Sequence, residues 1–163
     1  MNTFSDPAAA LQRFLHDTIP LARGMGVILA AADGDHVAVE APLAPNINDK
    51  GCAFGGSLAG VMTLAGWVLL ELAAQARGLA CDVYVADSQI DYLAPIWGDF
   101  RAEARLDEHS SWESFFATLA ARGKARATVQ CRVHECGRDA TAATLRARFV
   151  AKLRTEHGSN PAT

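Results

Sequence analysis

The first residues of the chain have the pattern of an amphipathic helix. Leu11, Leu15 and Ile19 recur at helical spacing within residues 1–20, so that they fall on one face. Asp6-Pro7 has the form of an N-cap residue followed by a proline in the first helical turn. We therefore predict one short helix in residues 1–20.

The following segment indicates a β-hairpin and then a loop. Residues 26–31 and 36–41 are strand-like runs, and the Asp33-Gly34 pair between them supplies the chemistry of a tight turn. In residues 42–54, prolines, asparagines and a glycine interrupt any regular pattern. We expect this loop to lead directly into a helix.

Residues 55–77 predict one long helix that is apolar on every side. The stretch 51–70 contains no charged residue, and such a length is enough to cross a bilayer. Gly56 and Gly60 also form a GxxxG pair, which is common in membrane helices. The stretch is, however, rich in glycine, alanine, serine and threonine, and a fully buried helix requires the same pattern. We predict a buried central helix and no membrane partner.

After this helix the period of the apolar positions changes from helical to two. We predict strands at residues 83–93, 100–106, 125–135 and 140–150. If the alternation in the first of these is unbroken, two sets of residues lie on opposite faces: Tyr84, Ala86, Ser88, Ile90 and Tyr92 on one, and Val83, Val85, Asp87, Gln89 and Asp91 on the other.

A helical insert interrupts these strands at residues 110–122, where Ser110 and Glu113 have the spacing of a capping box. The predicted order is thus a helix, two strands, a long helix, and four strands with a helical insert. Six strands and one apolar helix favour an α+β domain in which an antiparallel sheet curls around the central helix. Such a sheet leaves an edge strand that needs a partner.

Length, charge and cysteine content narrow the class further. A chain of 163 residues suits one domain, which we place at residues 1–153, with a flexible tail at 154–163. The formal net charge of -3 argues against nucleic acid as a partner, because proteins that bind it carry a concentrated basic face. The cysteines form no CxxC pair and no zinc-ligand pattern, so we expect no metal and no other cofactor. Residues 1–15 lack a secretory signal, which predicts a cytoplasmic location.

Two stretches carry a resemblance to a known family. They are residues 48–58, NDKGCAFGGSL, and residues 91–99, DYLAPIWGD. With the predicted element order between them, they resemble the hot-dog-fold thioesterases, and in particular the thioesterase-like C-terminal domain of YiiD-type acetyltransferases. The likeness runs from about Ile19 to Val150 and includes the helical insert. We do not expect an acetyltransferase domain before it.

The resemblance implies a fold, an assembly and a chemistry. The fold is the hot-dog fold, a curled antiparallel six-stranded sheet wrapped around one long central helix. The assembly is a homodimer, or a dimer of dimers, whose sheets join edge to edge. An acyl-thioester tunnel would lie between subunits at the start of each central helix, where free backbone N–H groups stabilise the charge that develops on a thioester carbonyl under attack by water. The substrate would be an acyl-CoA or another acyl thioester.

The resemblance suggests catalytic roles for Asn48, Gly55, Gly56 and Thr63. The two glycines fall at the oxyanion position, and Asn48 matches the asparagine before the glycine-rich turn of phenylacetyl-CoA-type enzymes. Thr63 stands seven residues after Gly56, where those enzymes carry an acidic residue. Seven residues turn a helix by about 700°, so Thr63 returns to nearly the same face. The structural alternatives are close packing for the glycines, loop bonding for Asn48 and core packing for Thr63.

Four more residues are predicted to contact substrate: Phe54, Ser57, Asp87 and Ser88. Phe54 stands where the phenylacetyl-CoA-type enzymes carry a histidine. Neither position 54 nor position 63 therefore holds the residue that aligns or activates water in those enzymes. Asp49 and Asp87 are the nearest substitutes, because a carboxylate can act as a base near neutral pH. Asp87 has a structural alternative as a solvated carboxylate, and Ser57 has one as a cap.

The basic residues Arg122, Lys124 and Arg126 either contact the phosphates of coenzyme A or form a solvated strand end.

The leading hypothesis for function is hydrolysis of an acyl thioester, with acyl-CoA as the expected substrate, by water attack without a metal or a covalent intermediate. The alternative is a non-catalytic acyl-thioester-binding domain, which the missing helix carboxylate favours. A hot-dog dehydratase would need a histidine beside the helix, and neither motif contains one.

Overall fold

The computed structural model describes residues 7–155. The helices in this range are Pro7–Thr18 (α1), Pro20–Gly24 (α2), Gly55–Gln75 (α3) and Trp112–Arg122 (α4), with a short 3-10 turn at Ala44–Asn46. The strands are Ile28–Ala32 (β1), His36–Ala41 (β2), Cys81–Tyr92 (β3), Phe100–Leu106 (β4), Lys124–Glu135 (β5) and Ala143–Leu153 (β6). The predicted N-cap Asp6, and most of the predicted tail, lie outside the described residues.

The strands form one antiparallel sheet in the order β1-β2-β4-β5-β6-β3. One edge of the sheet is β3, which directly follows α3 in the chain, and the other edge is β1. The inner face of the sheet presents fully buried side chains such as Phe100 and Phe149 to α3. The predicted fold, a curled six-stranded antiparallel sheet around one central helix, is confirmed.

The close approach of α3 to the sheet depends on Gly66. A Cβ atom at this position would stand 2.8 Å from the ring of Phe149, closer than real contacts allow. By length and a mean hydropathy of 1.7, α3 would also suit a membrane span, but 56% of that window is buried inside the protein. A core helix passes the same test, because it too must be apolar all round.

Several boundaries differ from the predictions. The cap of α4 is Ser111 and not Ser110, because Ser111 Oγ accepts the N–H of Ser114 at 3.1 Å. The hydroxyl of Ser110 instead accepts a backbone N–H from β5. The central helix ends at Gln75, and a second short helix, α2, follows the N-terminal one. Strand β6 begins at Ala143, because the carbonyl of the preceding residue turns to accept two N–H groups from the chain that leaves β3.

An irregularity in β3 changes which residues face α3. Its register with β6 shifts between Val85 and Asp87, which leaves Ala86 as an extra, bulged residue. A single extra residue reverses the face of every residue that follows it. The predicted unbroken alternation is therefore wrong, because Val83 and Val85 do not share a face with Asp87.

Candidate functional site

The start of α3 has backbone donors that no protein group uses. Phe54 is the N-cap, with an extended backbone, and no side chain caps the helix. The carbonyl of Phe54 accepts the N–H groups of Ser57 at 2.9 Å and Leu58 at 3.1 Å. Within residues 7–155, the N–H groups of Gly55 and Gly56 have no acceptor, and the first turn holds no acidic residue. Free first-turn N–H groups and the helix dipole both favour an anion here.

The two glycines make these donors accessible. Gly56 is exposed and Gly55 is half-buried. The ring of Phe54 lies over Gly56, and a Cβ atom there would collide with it. A Cβ atom on Gly55 would stand 3.4 Å from the ring of Tyr92. Glycine at both positions therefore lets the rings of Phe54 and Tyr92 lie close to the backbone that carries the free donors. The oxyanion role of the two glycines stays a prediction.

Tyr92 joins the end of β3 to this helix start. Its hydroxyl donates a hydrogen bond to the carbonyl of Gly55 at 2.9 Å, and its side chain is largely exposed. Sequence reasoning placed Tyr92 inside the second motif but gave it no role. The available signal was that Tyr92 shares a strand face with Ser88, which was already a candidate for substrate contact.

Asn48 is held by its own loop. Its Oδ1 accepts the N–H groups of Lys50 at 2.8 Å and Cys52 at 3.2 Å, and its Nδ2 donates to the thiol of Cys52 at 3.2 Å. These bonds engage both ends of the amide and fix the loop that leads to α3. The geometry thus fits the structural alternative for Asn48, and its catalytic role stays a prediction.

A second asparagine, which sequence reasoning missed, anchors the same loop from within the protein. Asn46 is buried, and its Nδ2 donates to the carbonyls of Met25 at 2.8 Å and Pro42 at 2.7 Å. Its own carbonyl accepts the N–H of Phe54 at 2.7 Å. Asn46 therefore sets the position of the N-cap residue. No local pattern distinguishes it from Asn48, because the difference lies in what each side chain meets in the folded protein.

Thr63 lies two turns into α3, where it is half-buried. Its hydroxyl donates to the carbonyl of Ala59 at 2.8 Å. The hydroxyl hydrogen is thereby engaged, and the oxygen keeps lone pairs that can accept a hydrogen bond from water. Ser57 is also half-buried, but its side chain does not cap the helix. The roles predicted for both residues stay predictions.

The two candidates on β3 are separated by the bulge. Ser88 pairs with the buried Ala147 and so lies on the face of the sheet that covers α3, since directly opposed residues share a face. Asp87 pairs with the exposed Arg148 on the outer face and accepts hydrogen bonds from its Nε at 3.0 and 2.9 Å. This hydrogen bonding to Arg148 holds the pKa of Asp87 below its ordinary value. The structure therefore does not bring Asp87 to the start of α3.

The carboxylate whose pKa is raised by burial lies far from the free donors. Asp49 is exposed and paired with Lys50 at 2.9 Å. Burial raises the pKa of Glu71, but Glu71 lies about 24 Å from Gly55 along the helix, at 1.5 Å per residue. Within residues 7–155, no three His, Cys, Asp or Glu side chains cluster as metal ligands. The site therefore offers backbone donors and hydroxyls, and no strong base.

Known proteins are similar to this chain in sequence and in overall structure. The sequence model of the family described as "Putative thioesterase (yiiD_Cterm)" matches residues 8–153. The structure is similar to a protein of unknown function from Chlorobaculum tepidum, with a TM-score of 0.83 and 28% identity over 90% of this chain and 94% of that one. It is also similar to a protein from Shewanella oneidensis described as a "putative thioesterase", with a TM-score of 0.78 and 28% identity over 89% and 96%. A "probable thioesterase" from Pseudomonas aeruginosa shares the fold at a TM-score of 0.72 and 21% identity, over 89% and 95%.

Proposed function

The chain belongs to the thioesterase family defined by the C-terminal domain of YiiD, and we propose on this basis that it hydrolyses acyl-CoA thioesters at the start of α3. The observation that carries the proposal is the pair of free N–H groups on Gly55 and Gly56. Donors fixed in this way stabilise an oxyanion without reorganising during the reaction.

The proposed reaction is direct attack by water. Its oxygen adds to the thioester carbonyl, whose oxygen gains a negative charge opposite the N–H groups of Gly55 and Gly56. The carbon–sulfur bond then breaks, and the acyl group departs as a carboxylate. One of the two protons of the attacking water passes to the thiolate that leaves, and the other is released to solvent. Thr63 and Asn48 orient the water in this scheme. Because neither can hold a proton at neutral pH, the rate should rise with pH as hydroxide becomes available, without the inflection that a carboxylate base would produce.

We propose that the active form is a dimer joined through β3. This strand is an edge of the sheet, and an edge strand exposes unpaired backbone groups. Its side chains Tyr84 and Val85 are 55% and 46% exposed, although large apolar side chains are usually covered. A two-fold axis through β3 would pair this edge with its copy and cover both residues.

The test of the proposed function compares two glycine substitutions on the same helix. Gly56→Val places a branched side chain over the free donors and displaces the ring of Phe54, so kcat/KM for acyl-CoA should fall by at least roughly 10²-fold. Gly60→Ala is the control, because its Cβ would meet only the flexible end of Met25 at 3.4 Å. Release of free CoA from acyl-CoAs of different chain length is measured with a thiol reagent. Equal activity in both variants would place the site elsewhere.

The alternative function, a non-catalytic acyl-thioester-binding domain, is favoured by Phe54 and Thr63, which occupy the two places where a base is expected. The same assay distinguishes the two functions. A binding domain would bind acyl-CoA in a calorimetric titration and release no thiol at any pH, and Gly56→Val would then weaken binding alone.

A further inference from the structure

The hydroxyl of Tyr92 binds the peptide unit that joins the two glycines at the start of α3. It donates to the carbonyl of Gly55 at 2.9 Å. That carbonyl and the N–H of Gly56 belong to the same planar peptide unit, which rotates only as a whole. Through the carbonyl, the hydroxyl therefore fixes the direction in which a free N–H group points.

An ordinary cap would hold this helix start from the opposite side. A capping side chain accepts first-turn N–H groups, as Ser111 does in α4, and a donor bound in this way is no longer available to a ligand. Phe54 provides no such acceptor, although glycine is the residue type with the greatest backbone freedom. Tyr92 restrains the first turn by its carbonyl and leaves the N–H groups of Gly55 and Gly56 unbound within residues 7–155.

The bulge in β3 brings Tyr92 to this position. Tyr92 pairs with Ala143, which is fully buried, so both side chains lie on the face of the sheet that covers α3. Ala86 is the extra residue of the bulge, and without it every residue that follows would face the other way. The irregularity that turns Asp87 outward thus places the hydroxyl of Tyr92 against the helix start.

Backbone contacts fix the strand end that carries this hydroxyl. The two residues after Tyr92, Leu93 and Ala94, donate their N–H groups to the carbonyl of Ala142 at 2.8 and 3.0 Å. The ring of Tyr92 lies against Gly55, where a Cβ atom would stand 3.4 Å from the nearest ring carbon and 3.6 Å from the hydroxyl oxygen. The hydrogen bond therefore joins two backbone segments that are each held by their own contacts.

We propose that Tyr92 is a positioning residue for the oxyanion donor Gly56, and this inference rests on the proposed hydrolysis at the start of α3. A hydrogen bond to the carbonyl of a peptide unit polarises the unit, so its N–H becomes a stronger donor. Because the bond also fixes the peptide plane, the donor needs no reorganisation when charge develops on the thioester oxygen. Tyr92 contacts neither the thioester nor the attacking water and acts only through Gly56.

Tyr92→Phe tests the hydroxyl alone, because it keeps the ring. Tyr84→Phe is the matched control: it removes a hydroxyl from the same strand, at a side chain that is equally exposed at 55%. Tyr84 lies roughly 26 Å from Tyr92 along the strand, at about 3.3 Å per residue.

The first measurement is an NMR spectrum of the protein with isotope-labelled glycine. The carbonyl carbon resonance of Gly55 and the amide nitrogen resonance of Gly56 should move to lower frequency in Tyr92→Phe, because both atoms lose the effect of the hydrogen bond. Neither resonance should move in Tyr84→Phe. Unchanged resonances in Tyr92→Phe would overturn the proposal, whether or not the protein hydrolyses thioesters.

Kinetics distinguish a positioning role from direct binding of substrate. In Tyr92→Phe, kcat for acyl-CoA should fall about tenfold, the effect of one hydrogen bond, with KM unchanged. Tyr84→Phe should turn over like the parent. A raised KM with an unchanged kcat in Tyr92→Phe would mean that the hydroxyl binds substrate directly, and it would contradict the proposal.

Infrared spectroscopy separates the failure of this proposal from that of the proposed function. The ligand is an acyl-CoA analogue in which a methylene group replaces the thioester sulfur, so it keeps the carbonyl and is not hydrolysed. Bound donors lower the stretching frequency of this carbonyl, and the lowering should be smaller in Tyr92→Phe than in the parent or in Tyr84→Phe. If the parent releases no thiol from acyl-CoA, the proposed hydrolysis fails, and the infrared shift still decides whether Tyr92 strengthens the donor. An equal shift in the parent and in Tyr92→Phe would overturn the positioning role.

Discussion

Helices α3 and α4 begin in opposite ways. At the start of α4, Ser111 accepts a backbone N–H through its side chain, and Glu113 places a negative charge in the first turn. At the start of α3, Phe54 offers no side-chain acceptor, and the first turn has no acidic residue. Both ordinary means of satisfying a helix N-terminus are thus present in one helix and absent from the other.

The two helices also differ in what stabilises them. α4 is short and packs mainly against β5, with its buried side chains on one face. α3 is enclosed by the sheet and has buried residues along its whole length, from Leu58 to Ala74. Tertiary packing of this kind is the main source of helix stability in proteins. α3 therefore does not depend on a cap, and its first N–H groups remain available to a ligand.

A cap added to α3 should have the largest effect. Phe54→Asp places an acceptor at the N-cap position, where the backbone is already extended, and should raise stability by about 1 kcal/mol. The same carboxylate would occupy the free donors and repel an oxyanion, so kcat/KM for acyl-CoA should fall roughly 10²- to 10³-fold. Thermal unfolding and thiol release measure the two effects. Phe54→Ala is the control, and it should keep far more activity, since it removes the ring and adds no acceptor.

The converse change removes the cap of α4. Ser111→Ala should lower the free energy of unfolding by about 1 kcal/mol, because the N–H of Ser114 loses its acceptor. Denaturant unfolding measures this loss. Turnover of acyl-CoA should stay at the parent level, since α4 contributes nothing to the start of α3. A fall in kcat as large as that of Phe54→Asp would show that the two helix starts are not functionally different.

The smallest expected effect concerns the far end of α3. Burial raises the pKa of Glu71, so the fold favours its protonated form. The stability that the protonated side chain of Glu71 contributes is fully present below the ordinary pKa of a glutamate. This contribution is lost as pH rises through the raised pKa. Glu71→Gln should therefore raise Tm at neutral pH, and this advantage should shrink as the pH is lowered toward 4. Turnover should not change. An advantage that is independent of pH would mean that Glu71 is not destabilised by its charge.

The order of the helices and strands could be predicted from the sequence, because apolar and polar residues recur along the chain at helical or strand spacing. The change from an apolar helical run to alternation, together with glycine and proline at the turns, predicted the order of the elements and the central helix. The bulge at Ala86 could not be predicted in this way, because an alternating pattern does not reveal that one residue lacks a partner across the strand pair. This residue decides that Ser88 faces α3 and that Asp87 faces away.

The candidate site was predictable only where backbone geometry defines it. The glycines at 55 and 56 indicated open donors from sequence, and the structure places them at an uncapped helix start. The side-chain assignments were less accessible, because Asn48 and Asn46 differ in tertiary contacts and not in local pattern. Tyr92 was missed for the same reason, since its bond to Gly55 joins residues far apart in the chain.

A crystal structure with an acyl-CoA analogue, in which a methylene group replaces the thioester sulfur, would test the proposed site at the start of α3. We expect the carbonyl oxygen of the analogue to lie about 2.7–3.1 Å from the backbone nitrogen of Gly55 or Gly56. A carbonyl group bound away from the start of α3, with both of these N–H groups still unpaired, would contradict it.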